Sequence, residues 1–186
     1  MRRDVPTSSR LVHMADWTKL SERPMHSGWR TIVGRRYLTP DGQEREFEIK
    51  VEDDTAAVLA LTSDGHVVLV REFRPGPEES LLELPGGAVS PGEAPFEAAR
   101  RELLEETGYE GDLRPAGSIV DCAYSTRRRH SFVATAAKQV QEPSPHEGEF
   151  PEVVLMPLAA FRDHLRSGQL TDVPGGYMAL DALRLL

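Results

Sequence analysis

Stretches in which apolar residues recur at every second position alternate along this chain with stretches in which they recur every third or fourth. From Trp29 onward the pattern is that of strands: Thr31–Leu38, a Pro40-Asp41-Gly42 turn, then residues 46–51, where Phe47, Ile49 and Val51 alternate with charged neighbours. This predicts an exposed hairpin with one apolar face. Residues 56–61 and 67–70 are short apolar runs rich in Val and Leu, joined through Ser63-Asp64-Gly65, whose Asp-Gly pair suits a tight turn; they read as central strands. Residues 119–123, 131–135 and 153–156 complete the expected strands.

The period lengthens between Pro95 and Thr107. Phe96, Ala99, Leu103 and Thr107 form an inward helical stripe, Pro95 suits the first helical position, and Gly108 can take the left-handed conformation that closes a helix. Two more helices are predicted: Leu158–Ser167, stopped by Gly168, and one from Gly175 to the end. Residues 1–28 read as an irregular polar arm with Trp17 and Leu20 as docking points, and residues 29–186 as one domain. Residues 141–151, rich in Pro, Glu and Gly, read as a mobile loop, and Arg127-Arg128-Arg129 as a solvent-facing basic loop between strands. His13, His26, His66, His146 and His164 show no ligand spacing and read as surface residues.

Charge narrows the partners. The net charge of -8 and pI of about 5.3 repel phosphate backbones, so extended nucleic acid is not expected and a polyanionic ligand needs local cations or a metal. Cys122 is the only cysteine, which excludes an internal disulfide and a cysteine zinc cage and fits a reducing compartment, the cytoplasm. No apolar run follows Met1-Arg2-Arg3, so neither export nor membrane insertion is expected.

On the helix at Pro95–Thr107, Glu102, Glu105 and Glu106 fall at i, i+3 and i+4, which brings their carboxylates to one side. Such like charges cost a few tenths of a kcal/mol per pair, only partly relieved by Arg100 and Arg101. Two readings follow: a solvated acidic face, or a site for a hard divalent cation, Mg²⁺ or Mn²⁺, held by carboxylate and backbone oxygens. The surroundings favour the second. Gly87, five residues, Glu93, seven residues, then Arg101-Glu102-Leu103-Leu104-Glu105-Glu106-Thr107-Gly108-Tyr109 match every fixed position of the Nudix box. Tyr109 stands where an aliphatic residue is commoner.

The chain thus resembles the Nudix hydrolases, which implies an α/β/α sandwich around a mixed, curved sheet and hydrolysis of a pyrophosphate by metal-activated water. The resemblance implies that Glu102, Glu105 and Glu106 hold the metal with the Gly86 carbonyl, that Arg101 orients a glutamate, and that Glu93 fixes the loop. Gly87 is expected to serve a tight turn, and Gly108 ends the motif helix. Glu105 and Arg101 are also catalytic candidates.

Beyond the box the chain is similar to the ADP-ribose pyrophosphatase branch at Val70-Arg71-Glu72-Phe73-Arg74-Pro75, Leu82-Glu83-Leu84-Pro85-Gly86-Gly87 and Gly168-Gln169-Leu170-Thr171-Asp172. This implies cleavage of ADP-ribose to AMP and ribose 5-phosphate, with a sugar nucleotide, a nucleoside triphosphate or a non-catalytic nucleotide sensor as alternatives. The Ser-Pro-Gly turn common in that branch is replaced by Tyr124-Ser125-Thr126-Arg127. Substrate-binding candidates are Arg74, Arg71, Glu83 and Arg127, with Arg74 favoured over Arg71. The family's loop glutamate aligns with Glu149, with Glu147 and Glu152 in reserve. The branch's exchanged N-terminal region also implies a homodimer in which Trp17 or Arg30 completes the partner's adenosine pocket.

Overall fold

The apolar run at residues 56–61 lies at the heart of a sheet covered on both sides. A computed structural model describes residues 17–145, 148 and 150–186. The chain divides into two units, one ending at Val51 and one spanning residues 52–186. The boundary thus falls after the hairpin rather than before it.

In the first unit, β1 (Thr18–Ser27), β2 (Thr31–Leu38) and β3 (Glu44–Val51) form an antiparallel sheet in that order. The expected hairpin is β2–β3, with Val33 opposite Ile49 and Arg35 opposite Phe47. Residues 18–27, expected to be irregular, are instead a strand. All ten are exposed, so backbone pairing holds the strand and it leaves no apolar period in the sequence. Trp17 packs on Phe47 and Tyr37 at centroid distances of 5.8 and 6.1 Å, as a docking residue of the same chain.

The second unit runs β4 (Thr55–Thr62), β5 (His66–Arg74), β6 (Glu79–Glu83), β7 (Gly86–Ala88), α1 (Pro95–Thr107), β8 (Tyr109–Val120), β9 (Arg128–Gln139), β10 (Glu152–Pro157), α2 (Leu158–Ser167) and α3 (Val173–Ala182). Its sheet has the order β10-β5-β4-β9-β8, with β6 beside β5 and β7 beside β4. The β4–β9 pair is parallel and the others antiparallel, so the sheet is mixed. Strand alternation builds three layers. Ala56, Val58 and Ala60 of β4, with Val68, Phe132 and Ala134, pack on Ala98, Ala99 and Leu103 of α1. The intervening Leu59, with Val67, Leu69 and Val133, packs on Phe161 and Leu165 of α2 and Ala179 and Leu180 of α3. Burial of each large side chain contributes about 1.5–3 kcal/mol, so both faces hold the central strands.

Two boundaries and two short strands differ from expectation. β8 begins at Tyr109 rather than near Ile119: it pairs with β9 at the sheet's edge, where Pro115 and polar residues are tolerated and the apolar alternation is weak. β6 and β7, of five and three residues, were not expected: β6 is too short to show an apolar period, and β7 is mostly glycine. α3 starts at Val173 because the Asp172 side chain accepts a hydrogen bond from the Gly175 N–H at 3.2 Å. Among the described residues no helix is long and apolar enough to cross a membrane.

Candidate active site

α1 delivers the acidic residues. It begins at Pro95 because Ala94 is extended (φ -76°, ψ 139°), and ends at Gly108 (φ 73°), whose N–H donates to the Leu104 carbonyl at 2.8 Å. Ala98, Ala99 and Leu103 bury one face. Phe96, expected in that stripe, is 39 % exposed and meets Phe132 edge-on at 6.0 Å.

Packing of α1 against β7 sets Glu102 and Glu106 at the margin of the core, each 8 % exposed. They border a cavity of about 310 Å³, shared with Arg101 of α1, Gly86, Gly87 and Ala88 of β7, Ser90, and Glu72 and Arg74 of β5. A larger hollow of about 370 Å³ opens beside Phe96, Arg100 and Tyr109, and lacks the converging carboxylates. The smaller one is therefore the candidate site. Glu106 Oε2 accepts the Gly86 N–H at 2.8 Å, which ties the helix to the glycine strand.

The two glycines are needed for close approach, not for a tight turn. Neither has positive φ. A Cβ on Gly87 would run into the Glu102 carboxylate, 2.6 Å from its Cδ, and one on Gly86 would strike Ala57 Cα of β4 at 2.7 Å. This corrects the turn role expected of Gly87. Bare backbone there lets a carboxylate and a central strand come near.

Arg101 organises the rim. Its Nε and Nη2 each reach a Glu93 carboxylate oxygen at 3.0 Å, Nη1 donates to Glu102 at 2.7 Å and Glu105 at 3.2 Å, and Nη2 donates to the Ala88 carbonyl at 3.1 Å. Glu93 in turn accepts the Ser90 N–H at 3.0 Å, closing the loop between β7 and α1. The Arg101 hydrogen bonds, followed by that Ser90 N–H, hold the Glu93 carboxyl down at about 2. The Arg101 guanidinium is raised correspondingly, first by Glu93 and then by Glu102 and Glu105 against the opposing effect of burial. Glu105 is not among the residues bordering the cavity. Successive helical residues are about 100° apart, which swings Glu105 away from Glu106 and toward Arg101. Arg100 does not relieve the carboxylates, since its near acidic partner is Glu110 at 3.9 Å.

The other candidates divide by strand alternation. Arg74 and Glu72 share the face that borders the cavity, whereas Arg71, on the opposite face, pairs with Glu152 at 3.4 Å across β5–β10. Glu83 is 2 % exposed and is gripped by Arg74, so it does not border the cavity as a substrate-binding group. Burial works to lower the Arg74 pKa, but Glu83, then Glu72 and Glu106, outweigh it and raise the value.

Arg127 is not at the cavity: its Nε donates to the Asp53 carbonyl at 2.8 Å and its Nη2 lies 3.7 Å from Glu52. Arg128 and Arg129 are strand residues of β9, and Arg129 is held by Asp121 at 2.6 Å and the Thr171 carbonyl at 2.9 Å. The expected solvent-facing basic loop is thus absorbed by acceptors of the same chain. His66 and His164, expected at the surface, are half-buried, His164 Nε2 lying 2.8 Å from the Leu82 carbonyl.

Glu149, Glu147, His146 and His13 lie outside the described residues. The loop's first part is fixed to α1 through Ser144 N–H to the Glu105 carbonyl at 2.7 Å. Glu72 and Ser90 border the cavity without having been singled out; Glu72 was detectable as the residue two before Arg74 on the same strand. The donors facing the cavity are oxygens, which suits Mg²⁺ or Mn²⁺. Among the described residues no three Asp, Glu, His or Cys side chains already enclose one point; Arg101 holds both Glu102 and Glu105.

The NUDIX domain profile matches residues 52–173, the span from the start of the second unit to the first residue of α3. The chain belongs to the Nudix family. It is a Nudix pyrophosphohydrolase similar to ADP-ribose pyrophosphatases. An ADP-sugar pyrophosphatase of Mus musculus is 31% identical over 169 residues, 81% of this chain and 72% of that protein. An ADP-ribose pyrophosphatase of Bacillus subtilis (strain 168) is 30% identical over 149 residues, 78% of this chain and 80% of its own. The crystal structure of an ADP compounds hydrolase shares the Nudix fold with a TM-score of 0.75 at 23% identity, covering 91% of this chain and 97% of that one.

Proposed function

We infer that this Nudix protein hydrolyses ADP-ribose to AMP and ribose 5-phosphate with Mg²⁺, Mn²⁺ serving in its place. The observation that carries the reading is the Glu102–Glu106 pair facing Gly86 and Gly87 in a cavity flanked by the cations Arg74 and Arg101. The names of the mouse and Bacillus relatives support an ADP-linked substrate. Glu102, Glu106 and the Gly86 carbonyl are the proposed metal ligands, with Glu105 joining by turning from Arg101. When bound, a divalent ion lowers the pKa of water and neutralises charge on phosphoryl oxygens. Arg101 keeps the helix carboxylates in place, Arg74 binds the diphosphate, and Glu149 takes the proton from the attacking water. Water oxygen bonds to one phosphorus, the bridging oxygen departs with the other phosphate, and the two halves leave as monophosphates. Arg71 and Arg127, held by Glu152 and Glu52, have no part in the proposed diphosphate site.

Purified protein with Mg²⁺ and ADP-ribose should release AMP. Comparison with sugar nucleotides and nucleoside triphosphates under the same conditions tests the substrate class, and binding without turnover would favour the sensor reading. The retained glutamates favour an enzyme.

A homodimer remains part of the proposal, as does a cytoplasmic location with Cys122 reduced. Trp17 covers Phe47 within its own chain, so the support for dimerisation narrows to β1, a fully exposed edge strand paired on one side by β2. Trp17 and Arg30 are the proposed contributors to a partner's adenosine pocket.

A further inference from the structure

Glu83 is a carboxylate buried to 2 % exposure at the end of β6. It stands opposite Val70 on β5, and Arg74 reaches back along that face to meet it. Arg74 Nε donates to Glu83 Oε2 at 2.6 Å, and Nη2 contacts the same oxygen. Nη2 also lies 2.9 Å from Glu72 Oε2. Glu83 Oε1 accepts the Thr171 N–H at 3.2 Å, and the Thr171 carbonyl accepts Arg129 Nη1 at 2.9 Å. Glu83 is therefore fixed from one side by the backbone ahead of α3, and grips from the other an arginine that borders the cavity.

Stability alone is a poor reason for this arrangement. A buried ion pair is often no better for folding than apolar side chains of similar volume, because desolvation offsets the attraction. Its distinctive effect is geometric. An unrestrained arginine has several rotatable bonds, and a doubly held guanidinium edge has one position. Two edges of Arg74 are occupied by carboxylates, which leaves Nη1 for an anion.

We propose that Glu83 is a positioning residue that fixes the Arg74 guanidinium for a substrate phosphate, with Thr171 as its backbone anchor. The proposal rests on the reading of the cavity as the pyrophosphate site. Glu83 touches no substrate and acts through Arg74 alone.

Two measurements test it. In ¹H–¹⁵N spectra, with the Arg74 Nε–H signal assigned by its loss in Arg74→Lys, that proton should exchange slowly in the wild type, fast in Glu83→Gln and at an intermediate rate in Glu83→Asp. This readout does not depend on which substrate is cut. In steady-state assays on ADP-ribose, Glu83→Gln should raise KM about tenfold with a smaller change in kcat, and its effect should fall below about twofold in an Arg74→Ala background. An Arg74 Nε proton in the wild type that exchanges as fast as that of exposed Arg166 would overturn the proposal, even if Glu83→Gln fails to fold. So would equal effects of Glu83→Gln with and without Arg74. Slow exchange in a protein that releases no AMP from ADP-ribose would instead support the Arg74 clamp and refute the substrate reading.

Discussion

Adjacent glycines of β7 should fail in opposite ways when given a methyl group. In Gly87→Ala the new Cβ lies 2.6 Å from Glu102 Cδ and 2.9 Å from Oε2, where ordinary contacts are 3.4–4 Å. The obstacle is the far end of a flexible side chain, so the carboxylate moves by about 1 Å while the backbone stays, and a misplacement of that size costs about 100-fold in rate. Gly87 has no positive φ, so the variant should keep its stability within about 1 kcal/mol, or about 2–4 °C in Tm. In Gly86→Ala the obstacles are Ala57 Cα at 2.7 Å and the Ala56 carbonyl, both backbone of the central strand β4. Overpacking against such a strand costs about 1–3 kcal/mol, so this variant should lose several degrees of Tm. Thermal melts and initial rates at saturating Mg²⁺ separate the two. A Gly87→Ala protein with normal melting and near wild-type turnover would refute the placement of Glu102 at the chemical centre.

Glu106→Gln keeps an oxygen acceptor for the Gly86 N–H and should fold normally while turnover falls by orders of magnitude; near wild-type rates at saturating Mg²⁺ would contradict the ligand assignment. Glu102→Gln should behave alike. The Glu93 carboxyl sits at about 2 when folded against 4.5 ordinarily, so its bond to Arg101 stabilises fully above about pH 4.5 and is lost as pH falls through 2. Denaturant titrations of wild type and Glu93→Gln should therefore converge across that interval, and a gap unchanged down to pH 2 would be inconsistent with the clamp. Light scattering should give a dimer for the full chain at micromolar concentration and a monomer for a chain beginning at Ser27, which lacks β1; a monomeric full chain would remove dimerisation from the account.

What the sequence reveals follows from where burial and charge are in play. The apolar runs of β4 and β5, buried on both faces, and the Pro95–Gly108 helix with its own start and stop residues were legible because local chemistry and packing agree there. β1 and the first half of β8 were not, since edge strands held mainly by backbone pairing carry little apolar period. Within the site, helical spacing marked Glu102 and Glu106 but could not foresee that Arg101 draws Glu105 aside. The three arginines from Arg127 to Arg129 read as a solvent-facing loop because their partners are not local in the pattern: Glu52 and Asp53 on the Arg127 side chain and Asp54 on the Arg128 N–H come from a distant segment, and Asp121 holds Arg129 from the neighbouring turn. Glu83 lay in a motif stretch, and only its burial distinguishes a residue that holds Arg74 from one that meets a ligand.

The most direct test is product analysis of wild-type protein incubated with ADP-ribose in ¹⁸O-water, with and without Mg²⁺. The account predicts AMP and ribose 5-phosphate in equal amounts, one of the two carrying the label, only when Mg²⁺ or Mn²⁺ is present, and loss of both products in Glu106→Gln. Metal-independent cleavage, or no AMP from ADP-ribose while another nucleoside diphosphate derivative is readily cut, would contradict it.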